Sequence, residues 1–203
     1  MKNNFIIIVF ILGTAGLTGQ NQASINASMK TAKMLERRGD IDGAIAVYKG
    51  VLLKNPNNHQ SIRNLKSIYK NSQRFVDGIQ FLRERLAQFP NDIKTCSELG
   101  EFHFLNDQKK EARSVWLAGS EKFKDNQSYY RIMVSMYGKY GIDEDLLSLL
   151  KKGRNKFGKS FLAYETGVYY QTRRVYDMAM DQFILHLFHE PKQNGLIERR
   201  ILL

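Results

Sequence analysis

Three prolines occur in the 203 residues, and two of them, Pro56 and Pro90, stand 34 positions apart. Laid on itself at that interval, the chain shows five segments with common spacings. A first position is followed after 12 residues by a second, after 4 more by a bulky residue, and after 8 more by the proline place. Ala32, Ala44, Tyr48 and Pro56 mark the first segment; Gly100, Ala112, Trp116 and Lys124 mark the third. The second reads Lys66, Gly78, Leu82, Pro90, and the fourth Val134, Leu146, Leu150, Gly158. The fifth, one residue early, reads Gly167, Ala179, Phe183, Pro191. A period of this length limits the fold strongly, because one such unit cannot bury its apolar face alone and must stack on its neighbours.

Within each segment apolar residues recur three or four apart, as in Ile41, Ala44, Ile45, Tyr48, Val51 and Leu52, which is the pattern of a helical face. Two such helices are joined by a short polar turn: "RRGDID", "NSQRF", "LNDQKK", "KYGIDED" and "QTRRVYD". Gly39 and Gly141 suit the left-handed residue that ends a helix, while Asp40, Asp107 and Asp143 are expected to cap the next one. Small residues 12 apart let the paired helices cross closely, and the bulky residue a turn later fills the space beside the crossing. Proline then ends the second helix, since it lacks a donor and disfavours a helical residue before it. The expectation is an all-α chain of ten main helices in five antiparallel pairs, with repeats at about 25–58, 59–92, 93–126, 127–159 and 160–193. Residues 194–203 are expected to begin a further helix. Lys66 in the second repeat, and Leu146 and Gly158 in the fourth, depart from the pattern, so local packing there is the least defined.

These features resemble the tetratricopeptide repeat, a helix-turn-helix of 34 residues, over roughly residues 25–193. "GDIDGAIAVYKGVLLKNP" and "ELGEFHFLNDQKKEARSVW" carry the resemblance most clearly. It implies an α-solenoid, a right-handed superhelix of stacked pairs, whose first helices line a concave groove for a peptide or a partner's helix. Carried onto this chain, the groove would present Arg63, Ser67, Lys70, Asn71, Lys94, Ser97, Glu101, Arg131, Ser135 and Lys139, with more apolar character from Tyr164 and Val168. The partner-binding residues expected from it are Arg63, Lys70, Asn71, Lys94, Arg131 and Lys139. Some members of the family grip a terminal carboxylate with a set of Lys, Asn and Arg. Asn64 and Lys94 match two of those places, but Met29, Lys33 and Glu98 replace others, so that clamp is not intact.

The start of the chain reads separately. "MKNNFIIIVFILGTAGL" has one lysine, an apolar run from Phe5 to Leu12, and then small residues. The run is shorter than the roughly 20 residues needed to span a bilayer. Residues 1–23 are expected to be a secretory signal peptide, placing the protein in the periplasm or outside the cell, with residues 24–193 as the solenoid. Cys96 is the only cysteine, so no internal disulfide is possible and a hydrophobic core must hold the chain together.

The net charge of +11, from 31 Lys and Arg against 20 Asp and Glu, favours acidic partners. A helical-repeat binder of nucleic acid or another anionic polymer is the alternative to a protein scaffold. Such a surface should interleave cations with stacking aromatics, and the expected groove has few. The basic run "KKGRNKFGK" reads as a solvated helix end that complements the dipole. His186, His189 and Glu190 lack the further ligands that a zinc site needs, and "GDIDG" lacks those of a calcium loop. Cys96 falls at a helix-packing position and reads as a buried thiol. With no phosphate-cradling loop, nucleophile elbow or metal helix, no cofactor and no metal are expected, and catalysis has no candidate residues. The expected function is a non-catalytic protein-protein interaction scaffold of the cell envelope that holds an acidic segment.

Overall fold

The first described helix ends at Gly39, whose φ of +80° is the left-handed conformation that closes a helix. The computed structural model describes residues 22–201, so the expected leader lies almost wholly outside the described residues. Helix α1 covers residues 22–38. It is followed by α2 (Ile41–Lys54), α3 (His59–Asn71), α4 (Phe75–Gln88), α5 (Ile93–Leu105) and α6 (Lys109–Lys122). Then come α7 (Gln127–Tyr140), α8 (Asp143–Phe157), α9 (Ala163–Thr172), α10 (Tyr176–His189), a 3₁₀ turn at Pro191–Gln193 and α11 (Asn194–Ile201). No strand occurs among the described residues, and the chain is an all-α helical-repeat solenoid. None of the described helices is long and apolar enough to cross a membrane. The chain divides into two compact units at Gly78, inside α4.

Local chemistry sets the helix ends with the period of the repeat. Before α3, α5 and α7 stand Asn58, Asp92 and Asn126, spaced by 34, and each side chain accepts from backbone N–H groups of the first turn. Asp92 accepts from both Lys94 and Thr95 at 3.1 Å, and from the Thr95 hydroxyl at 2.7 Å. The turn inside each pair carries one left-handed residue: Gly39, Gln73, Asp107, Gly141 and Arg174 all have positive φ. Of the three expected aspartate caps, only Asp40 is one, accepting from Gly43 at 2.9 Å. Asp107 occupies the left-handed position of its turn, and the cap of α6 falls on Gln108 without a side-chain bond. Asp143 lies inside the first turn of α8, because Gly141 and Ile142 already complete the turn, and it pairs with Arg173 at 2.7 Å.

In the first unit α2 packs on α3, with Tyr48 fully buried and bonded both to Glu36 of α1 and to Asn64 of α3. Burial, reinforced by the Glu36 carboxylate, pushes the Tyr48 hydroxyl up to about 12. In the second unit α5, α7 and α9 stand side by side, each with its own partner: α6, α8 and α10. The third crossing shows why the 12-and-4 spacing recurs. A methyl on Gly100 would lie 2.2 Å from the indole nitrogen of Trp116, so only glycine lets α5 approach α6 this closely. Trp116 is 1% exposed, donates to the Ser97 carbonyl at 2.9 Å and meets the Tyr137 ring edge-on at 5.3 Å. One side chain thus joins its own pair to the next first helix.

The departures from the repeat are absorbed locally. Leu146, at a small-residue place, is fully buried, and a methyl added at Gly138 would stand at ordinary contact distance from it, 3.8 Å. Cys96 is buried beside Gly119, and burial raises its thiol above the usual range. The fifth pair closes on Ala179, Phe183 and, from α11, Ile197.

Candidate partner-binding surface

The six residues expected to bind a partner fall into two groups. Arg63, Lys70 and Asn71 lie on α3 in the first unit; Lys94 lies on α5, and Arg131 and Lys139 on α7, in the second. Helix α3, His59–Asn71, contains no Asp or Glu, and its last turn carries Lys70. Arg63 is exposed and donates to Gln60 on its own helix at 2.7 Å. Asn71 is exposed, with its amide 3.4 Å from the Ser67 hydroxyl. Asn64, a clamp position by resemblance, is instead turned to the Tyr48 hydroxyl at 2.7 Å and accepts from Gln60.

The cations of α7 are differently placed. Arg131 is bonded to Glu165 of α9 at 3.1 Å and lies over the Phe161 ring. Lys139 is bonded to Glu101 of α5 at 3.0 Å, and Glu101 also accepts from the Tyr140 hydroxyl at 2.6 Å. The Glu101 side chain is only 4% exposed while that of Lys139 is 60% exposed, so a surface cation compensates a buried anion. The Tyr140 and Glu101 bonds together raise the Lys139 ammonium. Ser97 and Glu101, expected to face the groove, are buried. Lys94 is exposed in the first turn of α5. Further pairs join residues about one repeat apart: Arg74 with Asp42, Arg113 with Asp145, and Lys156 with Asp125. Much of the basic charge of the second unit therefore serves the stacking of its repeats.

Between α7 and α9 the surface opens into a cleft of about 660 Å³. Val134, Gly138, Tyr164, Val168 and Tyr169 supply its apolar part, and Ser135, Lys139, Glu165, Thr172 and Arg173 its polar rim. Tyr164 is held against Phe183 and His186, with ring centroids at 6.2 and 5.5 Å. Of this set, Val134, Ser135, Lys139, Tyr164 and Val168 stood out in the sequence; Gly138 carried no signal. No group of three or more His, Cys, Asp or Glu able to hold a metal occurs among the described residues, and His186 faces Gln193 at 3.0 Å.

No protein-family model matches the chain, and no curated protein matches it in sequence. Among solved structures it is similar to TTC0263, a thermophilic tetratricopeptide-repeat protein of Thermus thermophilus. The identity is 16% over 88% of this chain and 100% of that one, with a TM-score of 0.49. It is also similar to YrrB, a tetratricopeptide-repeat protein with an unusual peptide-binding site, at 15% identity over 87% and 91% of the two chains and a TM-score of 0.45. A tetratricopeptide-repeat protein from Parabacteroides merdae shows 14% identity over 83% of this chain and 68% of its own, with a TM-score of 0.47. The repeat is established by this chain's own geometry: caps at Asn58, Asp92 and Asn126, left-handed turn residues in the same period, and the Gly100–Trp116 crossing. The chain has the tetratricopeptide-repeat fold.

Proposed function

We propose that the protein is a non-catalytic interaction scaffold of the cell envelope, exported by the leader at residues 1–23, and that it holds an acidic segment of a partner protein on its first-helix face. The observation that carries the acidic preference is α3, which presents Arg63, Lys70 and Asn71 from a helix without a single carboxylate. An acidic segment laid along it meets no like charge from that helix. Arg131 and Lys139 contribute less to such a contact than their charges suggest, since each already faces a carboxylate of a neighbouring first helix. Exposed charges act over about 8 Å at physiological ionic strength, so the contact is salt-sensitive and built from several groups together.

The test is to crosslink the protein in the cells that make it, identify the partner, and measure that partner's binding to the double variant Arg63→Glu with Lys70→Glu. Binding that falls and loses its salt dependence supports the reading. Unchanged affinity puts the acidic contact elsewhere, and a partner that is nucleic acid replaces the scaffold with the polymer-binding alternative.

A further inference from the structure

Resting on the reading of the chain as an interaction scaffold, we propose that the cleft between α7 and α9 receives an uncharged, apolar side chain of a bound peptide segment, and not an acid. The cleft is large enough, since its volume of about 660 Å³ sits within the roughly 300–1,000 Å³ of pockets that enclose small ligands. Its walls are apolar: Val134, Val168, Tyr164 and Tyr169, with Gly138 leaving the space that a longer side chain would fill. Tyr164 is braced by Phe183 and His186, so the wall it forms is preorganised.

The decisive feature is the charge balance of the rim. Lys139 faces Glu101 at 3.0 Å, Arg173 faces Asp143 at 2.7 Å, and Glu165 faces Arg131 at 3.1 Å. Each rim charge is already answered within the protein. A carboxylate entering the cleft would have to draw Lys139 from Glu101 or Arg173 from Asp143, giving up one ion pair for each that it makes. An entering cation would meet Lys139 and Arg173 at the rim. A neutral apolar group disturbs none of these pairs and removes apolar wall from water. The rim donors and acceptors, Ser135 among them, remain available to the backbone of the segment that carries it.

The test is to pan a library of random dodecapeptides against the whole chain and measure the recovered peptides on variants. Peptides enriched in aliphatic or aromatic residues are expected, and those that depend on the cleft should show no enrichment of acids. Their affinity should change less than about threefold between roughly 0.05 and 0.5 M salt, since no net charge is exchanged. Val168→Asp should weaken them by about tenfold or more by placing a carboxylate in the apolar wall. Gly138→Leu, which fills the cleft from the other helix, should do the same, and circular dichroism identifies whichever variant remains folded. Arg63→Glu with Lys70→Glu should leave them unaffected. Recovery only of acidic, salt-sensitive peptides that ignore both cleft variants and fail on the α3 double variant would overturn the cleft assignment while leaving the scaffold intact. Recovery of no peptide at all would overturn both.

Discussion

Replacing Gly100 by alanine sets two effects of opposite sign against each other. In an open helix the change gains about 1 kcal/mol of helix propensity. Here the new methyl would lie 2.2 Å from the indole nitrogen of Trp116 and 2.5 Å from its neighbouring carbon, so α5 and α6 must part or the indole must turn. Overpacking of this kind costs about 1–3 kcal/mol. An indole N–H pulled from the Ser97 carbonyl and left buried costs about 1–3 kcal/mol more. At mid-range values, one penalty alone leaves a net loss of about 1 kcal/mol and both together a loss of about 3 kcal/mol. With a urea slope of about 1–3 kcal/mol per molar, the midpoint falls by roughly 1 M. Trp116 is the single tryptophan, so its fluorescence reports this crossing directly, with far-ultraviolet circular dichroism for the helices as a whole. Gly50 is the control: a methyl there meets nothing within 4 Å in the middle of α2, and Gly50→Ala should raise stability by up to about 1 kcal/mol. A Gly100→Ala midpoint equal to or above that of the wild type, with Gly50→Ala also raised, would show that propensity alone acts and that the helices do not cross closely.

Other consequences concern the turns and the charges. Gln73 and Arg174 hold left-handed conformations that cost about 1–2 kcal/mol for a residue with a side chain, so Gln73→Gly and Arg174→Gly should each stabilise by up to about 1 kcal/mol after the entropy of glycine is subtracted, read from urea midpoints. Burial works against the Asp92 charge, but hydrogen bonds from Thr95 and Lys94, with Arg85 nearby, hold its carboxyl below the usual range. Because the folded value is depressed, this stabilisation is fully present above an unfolded value of about 3.9 and is lost as pH falls through the folded one. Asp92→Asn keeps an acceptor for the first turn of α5, so its deficit against the wild type should shrink below about pH 4, whereas Asp92→Ala should cost about 1 kcal/mol even at acid pH. Lys139→Met should cost about 1–2 kcal/mol by removing a cation from buried Glu101, less than a fully buried pair because Lys139 is 60% exposed, and Glu101→Gln added to it should recover part of the loss in a double-mutant cycle.

The repeat was legible because its signals are local or periodic. Ala44 with Tyr48 and Gly100 with Trp116 announce close crossings, and Pro56 and Pro90 announce helix ends, without knowledge of what the helices touch. The left-handed turn was legible at Gly39 and Gly141 but not at Gln73, Asp107 or Arg174, where stacking imposes a conformation that the residue type does not advertise. Asp107 and Asp143 were misplaced as caps for that reason: their identity suits a cap, but the turn's register puts them one place away from it. The charged surface was least legible. Lys139 and Glu101 are 38 residues apart, and only the packing of α7 on α5 makes one the partner of the other. A count of cations along first helices therefore overstates the positive surface of the second unit.

The central claim is that a partner is held on first helices, and site-specific photocrosslinking in the producing cell tests it most directly. A photoreactive residue is placed at exposed Ser67 on α3 or Ser135 on α7, and, for comparison, at exposed Leu53 on α2 or Leu117 on α6. The prediction is a discrete crosslinked protein from Ser67 and Ser135 and none from Leu53 or Leu117. Crosslinks confined to Leu53 and Leu117 would place the partner on the second helices and contradict the account.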